Sequence, residues 1–182
     1  MITAIMISAA LIFADPAEEV LPVAGVAETT EAEGEYHDYV QEEFVYLNEC
    51  YGWYDPPYDI QVAVHEAEYI YGVPAELMIA LIWTESRYDA NAGQHSKYKG
   101  LCQLGWKWFE TELTDNPYDV RTNVYTAAKF ISDLHVEHEG DMTKVLTQYN
   151  TGKAKTHSTA YSRKVMDIYE HLLSMRGKER RF

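Results

Sequence analysis

An all-α fold, or α with no more β than a minor hairpin, is what the sequence predicts, and three observations carry that prediction. Apolar residues recur at three- and four-residue spacing through most of the chain after Tyr36, which is the period of an amphipathic helix. Strand-like alternation is scarce, and only a small hairpin between Asn91 and Tyr98 would escape such a reading. Leu77 to Trp83 is apolar without a break, so that segment belongs in the middle of a helical domain.

The elements follow in chain order. Met1 to Ala14 is an apolar run ended by Asp15-Pro16, about the length of a signal-peptide core and short for a membrane span. No positive residue precedes it; either export relies on the apolar core alone or the true start lies upstream. Residues 15–35 are mostly Ala, Val, Glu, Pro, Thr and Gly and contain no aromatic residue. Such a stretch cannot bury enough apolar surface to offset its ordering entropy and is expected to be an acidic tether. A folded domain is expected over 36–182, with its core at about 58–173.

Tyr36, Val40, Phe44, Leu47 and Tyr51 suggest a helix packed on that domain. Ile60, Val64, Ala67 and Tyr71 continue the period, with Asp59 as candidate N-cap and Gly72 as the stop. Pro74 stands where a first helical position belongs and opens Ala75–Arg87, the central helix. Val124, Ala127, Ala128, Ile131, Leu134 and His135 mark a further helix ended by Gly140, and Asp141 caps one through Val145, Leu146 and Tyr149. The last runs through Tyr161, Val165, Ile168, Tyr169 and Leu172.

Charge narrows the function classes. Of 182 residues, 1–86 contain no Lys or Arg and 17 Asp or Glu, while 87–182 hold all 15 basic residues against 12 acidic ones. An acidic first half repels nucleic acid and anionic lipid, and no basic stripe with interleaved aromatics opposes it. Membrane association is expected only through an uncleaved leader. The two cysteines, Cys50 and Cys102, make no disulfide framework; they could pair in an exported protein or be two buried thiols.

Glu85 stands four residues after Leu81 and seven after Met78, on the apolar face of the central helix. Burial there raises the pKa of a carboxylate toward what a general acid needs near neutral pH. The alternative is a Glu at a frayed helix end, turned to solvent or paired with Arg87. Asp89 and Asp119 are the carboxylates to weigh as a second catalytic group, although Asn- and Pro-rich surroundings favour turn capping for both. His135-Val136-Glu137-His138-Glu139 could offer metal ligands on one helix face, but it lacks the zinc-protease spacing, and a solvated helix end is the preferred reading. No metal and no cofactor is expected. Trp53, Trp106 and Trp108 could stack on the ring of a ligand, with core packing the default for each. Lys153, Lys155, Arg163 and Lys164 form a basic cluster that either meets carboxylates or is a solvated face.

Four separated motifs give these residues a context. Tyr71-Gly72-Val73-Pro74 leads into a helix that ends in Glu85-Ser86, with Tyr88 two residues on from Ser86. Gly100-Leu101-Cys102-Gln103-Leu104 follows, then Asn116-Pro117-Tyr118-Asp119 with Asn123, then Gln148-Tyr149-Asn150-Thr151-Gly152, and finally Tyr161 with Val165 and Tyr169. In order and spacing, over about Tyr58 to Leu173, the chain resembles the catalytic domain of soluble lytic transglycosylases, a goose-lysozyme-like family. Gln94 replaces a common Ser, Lys97-Tyr98 a small pair, and Cys102 a Met, so the loop they form departs from the family.

The resemblance implies a lysozyme-like fold and an extracytoplasmic enzyme that cleaves peptidoglycan glycan strands. It further implies that Glu85 alone acts as acid and then base, Tyr161 orients it, and Ser86, Gln103, Tyr149 and Asn150 contact the sugars. Hydrolytic glycosidases generally use two carboxylates, so a water-using muramidase is the alternative within enzymes. A catalytically silent wall-binding or scaffold subunit is the alternative outside them. The acidic tether and the lack of wall-binding repeats suggest a place beside an envelope-spanning secretion, conjugation or phage complex.

Overall fold

The computed structural model describes residues 51–109 and 116–179. The leader, the tether and most of the 36–51 segment, with Cys50, lie outside them. Five α-helices are described: α1 (Tyr58–Tyr71), α2 (Ala75–Glu85), α3 (Val120–Glu137), α4 (Met142–Thr151) and α5 (Ala160–Glu179). A two-stranded antiparallel hairpin, β1 (Tyr98–Lys99) and β2 (Leu104–Gly105), stands between α2 and α3. The class is all-α with one small hairpin, as the apolar period predicts.

α2 carries eight buried residues in succession, Ala75 to Ile82, because a helix without a polar face has to be covered all round. α5 and α1 both pack on it, α3 lies against α1, and α4 bridges α3 and α5. Val64, Met78, Ile82, Ala127, Ile131, Val145 and Val165 belong to one continuous core.

The helix ends show where local chemistry differs from the expected bounds. α1 starts at Tyr58 with Pro57 as N-cap, and Asp59 sits in the first turn instead of capping. Pro74 is the N-cap of α2, one position earlier than expected. That helix stops at Glu85, two residues short, because Arg87 and Tyr88 take left-handed backbone conformations with φ of 55° and 67°. α3 starts four residues before Val124, since Asp119 accepts the Thr122 amide at 2.8 Å as a side-chain cap. Asp141 caps α4 in the same way through the Lys144 amide at 3.2 Å.

The hairpin lies just beyond Asn91–Tyr98, with Tyr98 opposite Gly105 and Lys99 opposite Leu104. Strands of two residues are too short to show alternation in a sequence. Among the described residues no helix is long and apolar enough to cross a membrane.

Candidate active site

The site is assembled where the C-terminal end of α2 meets the start of α5 and the hairpin. Glu85 is half-buried at the last residue of α2. Its Oε1 accepts a hydrogen bond of 2.6 Å from the Tyr161 hydroxyl, across 76 residues of chain. Burial raises the Glu85 pKa, against smaller downward pulls from the Tyr161 bond and the Lys164 charge. Tyr161 is itself held neutral, first by burial and then by the neighbouring carboxylate, which disfavours a second negative charge. A carboxyl that holds its proton more tightly than usual, beside a neutral hydroxyl donor, is what this arrangement provides.

The loop that faces Glu85 is fastened by Asn123. Its Oδ1 accepts the Cys102 amide at 2.8 Å, and its Nδ2 donates to the Lys99 carbonyl at 3.1 Å and the Pro117 carbonyl at 2.9 Å. All of its amide groups are engaged and the side chain is fully buried. Gly100, with φ of +72°, makes the close approach possible, since a Cβ there would stand 2.4 Å from Asn123 Nδ2. Tyr149 completes the fastening from α4 by donating to the Cys102 carbonyl at 2.7 Å. Cys102 is a buried free thiol, its pKa raised by burial and then by the Glu85 carboxylate.

Gln103, Tyr149 and Asn150 line one cavity of about 490 Å³ with Tyr98, Trp108, Phe109, Phe130 and Gln148. Tyr149 shows its ring to the cavity, while its hydroxyl reaches inward to the loop. Gln103 has φ of 48° and donates Nε2 to the Gly100 carbonyl at 2.8 Å, so its amide is oriented from behind. Ser86 is not among the lining residues; its Oγ donates to the Ile82 carbonyl at 3.3 Å at the end of α2. Neither Glu85 nor Tyr161 is among the lining residues, although the Glu85 charge acts on both Cys102 and Tyr149.

The unusual loop residues have a structure of their own. Lys99 Nζ donates to the carbonyls of Gly93 at 3.0 Å and Gln94 at 2.9 Å. Lys97 Nζ stands 4.9 Å from the Tyr98 ring centre and 5.9 Å from that of Trp108. Trp108 is 69% exposed against an expected core position, and Trp53 is 94% exposed. The Trp106 side chain lies outside the described residues. An exposed indole lacks any sequence signature, because a Trp in the core and one on a surface occur in the same kind of apolar context.

The remaining candidates are settled by what they touch. Asp89 accepts the Asn91 amide at 2.9 Å in a turn. Asp119 is the α3 cap, its pKa lowered chiefly by the Thr122 amide. Arg87 does not pair with Glu85; its guanidinium lies 4.4 Å from the Trp83 ring centre. His135 points inward and burial lowers its pKa, so the 135–139 stretch is not a wholly solvated end. His138 Nε2 meets Gln148 Oε1 at 2.8 Å. Among the described residues no three His, Cys, Asp or Glu side chains gather as a metal site.

No solved structure gives a significant match to the chain. Residues 62–172, by contrast, match the transglycosylase SLT domain, a span that takes in the whole of α2, the hairpin, Asn123, α4 and Tyr161. A buried carboxyl at the end of a central helix, a tyrosine donating to it and a fastened loop opposite are therefore found inside the matched span, and the chain belongs to the transglycosylase SLT domain family, whose activity is the lytic-transglycosylase type on peptidoglycan.

Proposed function

We propose that the protein is a lytic transglycosylase that cleaves the β-1,4 bond between N-acetylmuramic acid and N-acetylglucosamine and leaves a 1,6-anhydromuramyl end. The observation that carries this reading is that, among the described residues, neither carboxylate weighed as a second catalytic group is free to act beside Glu85. It is buried, raised in pKa and bonded to Tyr161, while Asp89 and Asp119 are both committed to backbone amides in turns. A hydrolase that activates water generally needs a second, free carboxylate.

Glu85 first donates its proton to the glycosidic oxygen as the C1–O bond breaks, so that the departing sugar leaves as an alcohol. The carboxylate produced is stabilised by the Tyr161 hydroxyl and by the Lys164 charge. It then takes the proton from the C6 hydroxyl of the same muramyl residue, whose oxygen closes onto C1. Water is not consumed, and the proton count balances over the two steps. The N-acetyl group of that sugar supports the electron-poor C1 in between.

Gln103, Tyr149 and Asn150 line the sugar cavity, and Tyr98 and Trp108 offer rings on which a sugar can stack. In the same reading Ser86, at the helix end, also contacts the sugars. Action on the cell wall is extracytoplasmic, which agrees with an exported leader over 1–14 and an acidic tether over 15–35. A place beside an envelope-spanning complex is part of the same proposal.

Mass spectrometry of purified walls digested by the parent and by Glu85→Gln tests the reading. Anhydromuramyl ends from the parent, reduced by about 10²–10⁴-fold in the variant, are expected. Reducing muramic ends identify a hydrolase instead, and equal digestion by the variant removes Glu85 from the mechanism.

A further inference from the structure

Two residues just beyond Glu85 hold a backbone conformation that neither favours by itself. Arg87 and Tyr88 stand consecutively in the left-handed region, with φ of 55° and 67°, where residues other than glycine, asparagine and aspartate are uncommon. The contacts that secure them come from residues before 62, where the family match begins. Tyr51 is buried in the core, and its carbonyl accepts the Tyr54 amide at 2.8 Å over the short 3-10 helix Gly52–Tyr54. The Tyr54 carbonyl in turn accepts a hydrogen bond from the Tyr88 hydroxyl, across 34 residues of chain.

The rings repeat this connection. Trp83 meets the Tyr54 ring edge-on with centres 5.3 Å apart, and the Tyr88 ring at the same 5.3 Å. The Arg87 guanidinium lies over Trp83 at 4.4 Å, and Tyr54 also reaches His171 of α5, with ring centres 5.9 Å apart. Trp83 precedes Glu85 by two residues and Tyr88 follows it by three, so the chain is gripped on both sides of the carboxyl. Burial, and then the Asp55 charge, hold the Tyr88 phenol neutral, which keeps it a donor well above neutral pH.

We propose that Tyr54 and Tyr88 form a clamp that positions Glu85, by which the segment upstream of the matched span fixes the turn after α2 and with it the place of the carboxyl against Tyr161. The inference rests on the catalytic role proposed for Glu85 and adds a positioning device to it. In this role neither tyrosine touches a reacting atom. Both act through the last turn of α2, which has to keep the Glu85 carboxyl 2.6 Å from the Tyr161 hydroxyl. Without the clamp, Arg87 and Tyr88 relax toward right-handed conformations, and the last turn of α2 loses its fixed end.

Steady-state digestion of soluble glycan strands by the full-length protein tests the clamp, with kcat expressed per folded molecule from thermal unfolding. Tyr88→Phe keeps the ring on Trp83 and removes only the hydroxyl. Its kcat is expected to fall about tenfold, with KM within about twofold of the parent, because the substrate still binds and the proton donor is misplaced. Glu85 also loses part of the burial that is the largest influence on its pKa, so the basic limb of the pH profile moves to lower pH. Its partners Tyr161 and Lys164 on α5 are untouched by the substitution. Should Tyr88→Phe not fold, Tyr54→Ala, which takes the ring from Trp83 at a half-buried position, is read in the same way.

A kcat per folded molecule equal to the parent's overturns the proposal, and so does a fall in kcat that leaves the pH profile in place. Glu85→Gln, measured beside these variants, judges the underlying reading separately. Strands digested as well by Glu85→Gln as by the parent remove the catalytic role of Glu85. Strands whose cleavage needs Glu85, yet which Tyr88→Phe cuts with the parent's kcat and pH profile, remove the clamp alone.

Discussion

At the residue scale, the Glu85 carboxyl is the most informative group because two opposing effects act on it. Burial raises its pKa and the Tyr161 hydroxyl lowers it. Tyr161→Phe removes the lowering contribution, so the basic limb of the pH–activity profile moves to higher pH. Activity falls at the same time by about tenfold to a hundredfold, the value of a hydrogen bond to a charged group. A pH profile of wall digestion by both proteins checks this, and a limb that moves to lower pH contradicts it.

The same shift has a consequence for stability, with the sign fixed by linkage. As pH rises above the ordinary Glu value of 4.5, the unfolded chain gives up its proton first while folded Glu85 keeps it. Folded protein is then disfavoured progressively until the raised pKa is passed. Glu85→Gln removes that contribution and leaves an acceptor for Tyr161. It therefore melts above the parent at neutral pH, and the difference vanishes below about pH 4.5 in thermal scans across pH.

At the element scale, the hairpin is held mainly from outside itself. Two paired residues per strand cannot hold a loop, and Asn123 supplies three hydrogen bonds to it and to Pro117. Asn123→Ala leaves the buried Cys102 amide and two carbonyls without these partners, at a cost of about 2–4 kcal/mol. Denaturant unfolding measures it, and a loss below about 1 kcal/mol means the loop is fastened by something else. Gly105 makes a different contribution: a Cβ there would come within 2.2 Å of the Trp108 ring. Gly105→Ala therefore displaces the indole from the cavity wall, which tryptophan fluorescence and a raised KM on glycan strands report.

The helices were legible because α2, α3 and α5 repeat their apolar residues over three or more turns. Glu85 was legible on two grounds, its position on the apolar face of α2 and the ordered motifs around it. The hairpin position, the left-handed pair Arg87-Tyr88 and the exposure of Trp108 were not. Each depends on contacts with residues distant in the chain, such as the Tyr88 hydroxyl that donates to the Tyr54 carbonyl, and no local period records such contacts. The basic cluster was half legible: Arg163 and Lys164 line a cavity together with Arg87, whereas Lys153 and Lys155 do not.

At the scale of the whole molecule, one core serves both stability and chemistry. α2 is enclosed by the rest of the domain and carries Glu85 at its end, so packing defects reach the site directly. Leu81→Ala, at a fully buried position one turn before Glu85, is expected to cost about 2–5 kcal/mol. Activity measured well below the melting temperature should fall by more than the folded fraction does, because the carboxyl loses its fixed distance to Tyr161. Activity that tracks the folded fraction alone means that Glu85 is positioned independently of the core.

The bond from Tyr161 to Glu85 also imposes an order in time. A nascent chain that has reached Gly152 already contains the central helix, the loop opposite it and every residue of the sugar cavity. It still lacks the tyrosine that bonds the carboxyl and the Lys164 charge that acts on it, both of which arrive with α5. In the proposed mechanism the full competence to cut is thus acquired last, once α5 has brought Tyr161 against the end of α2.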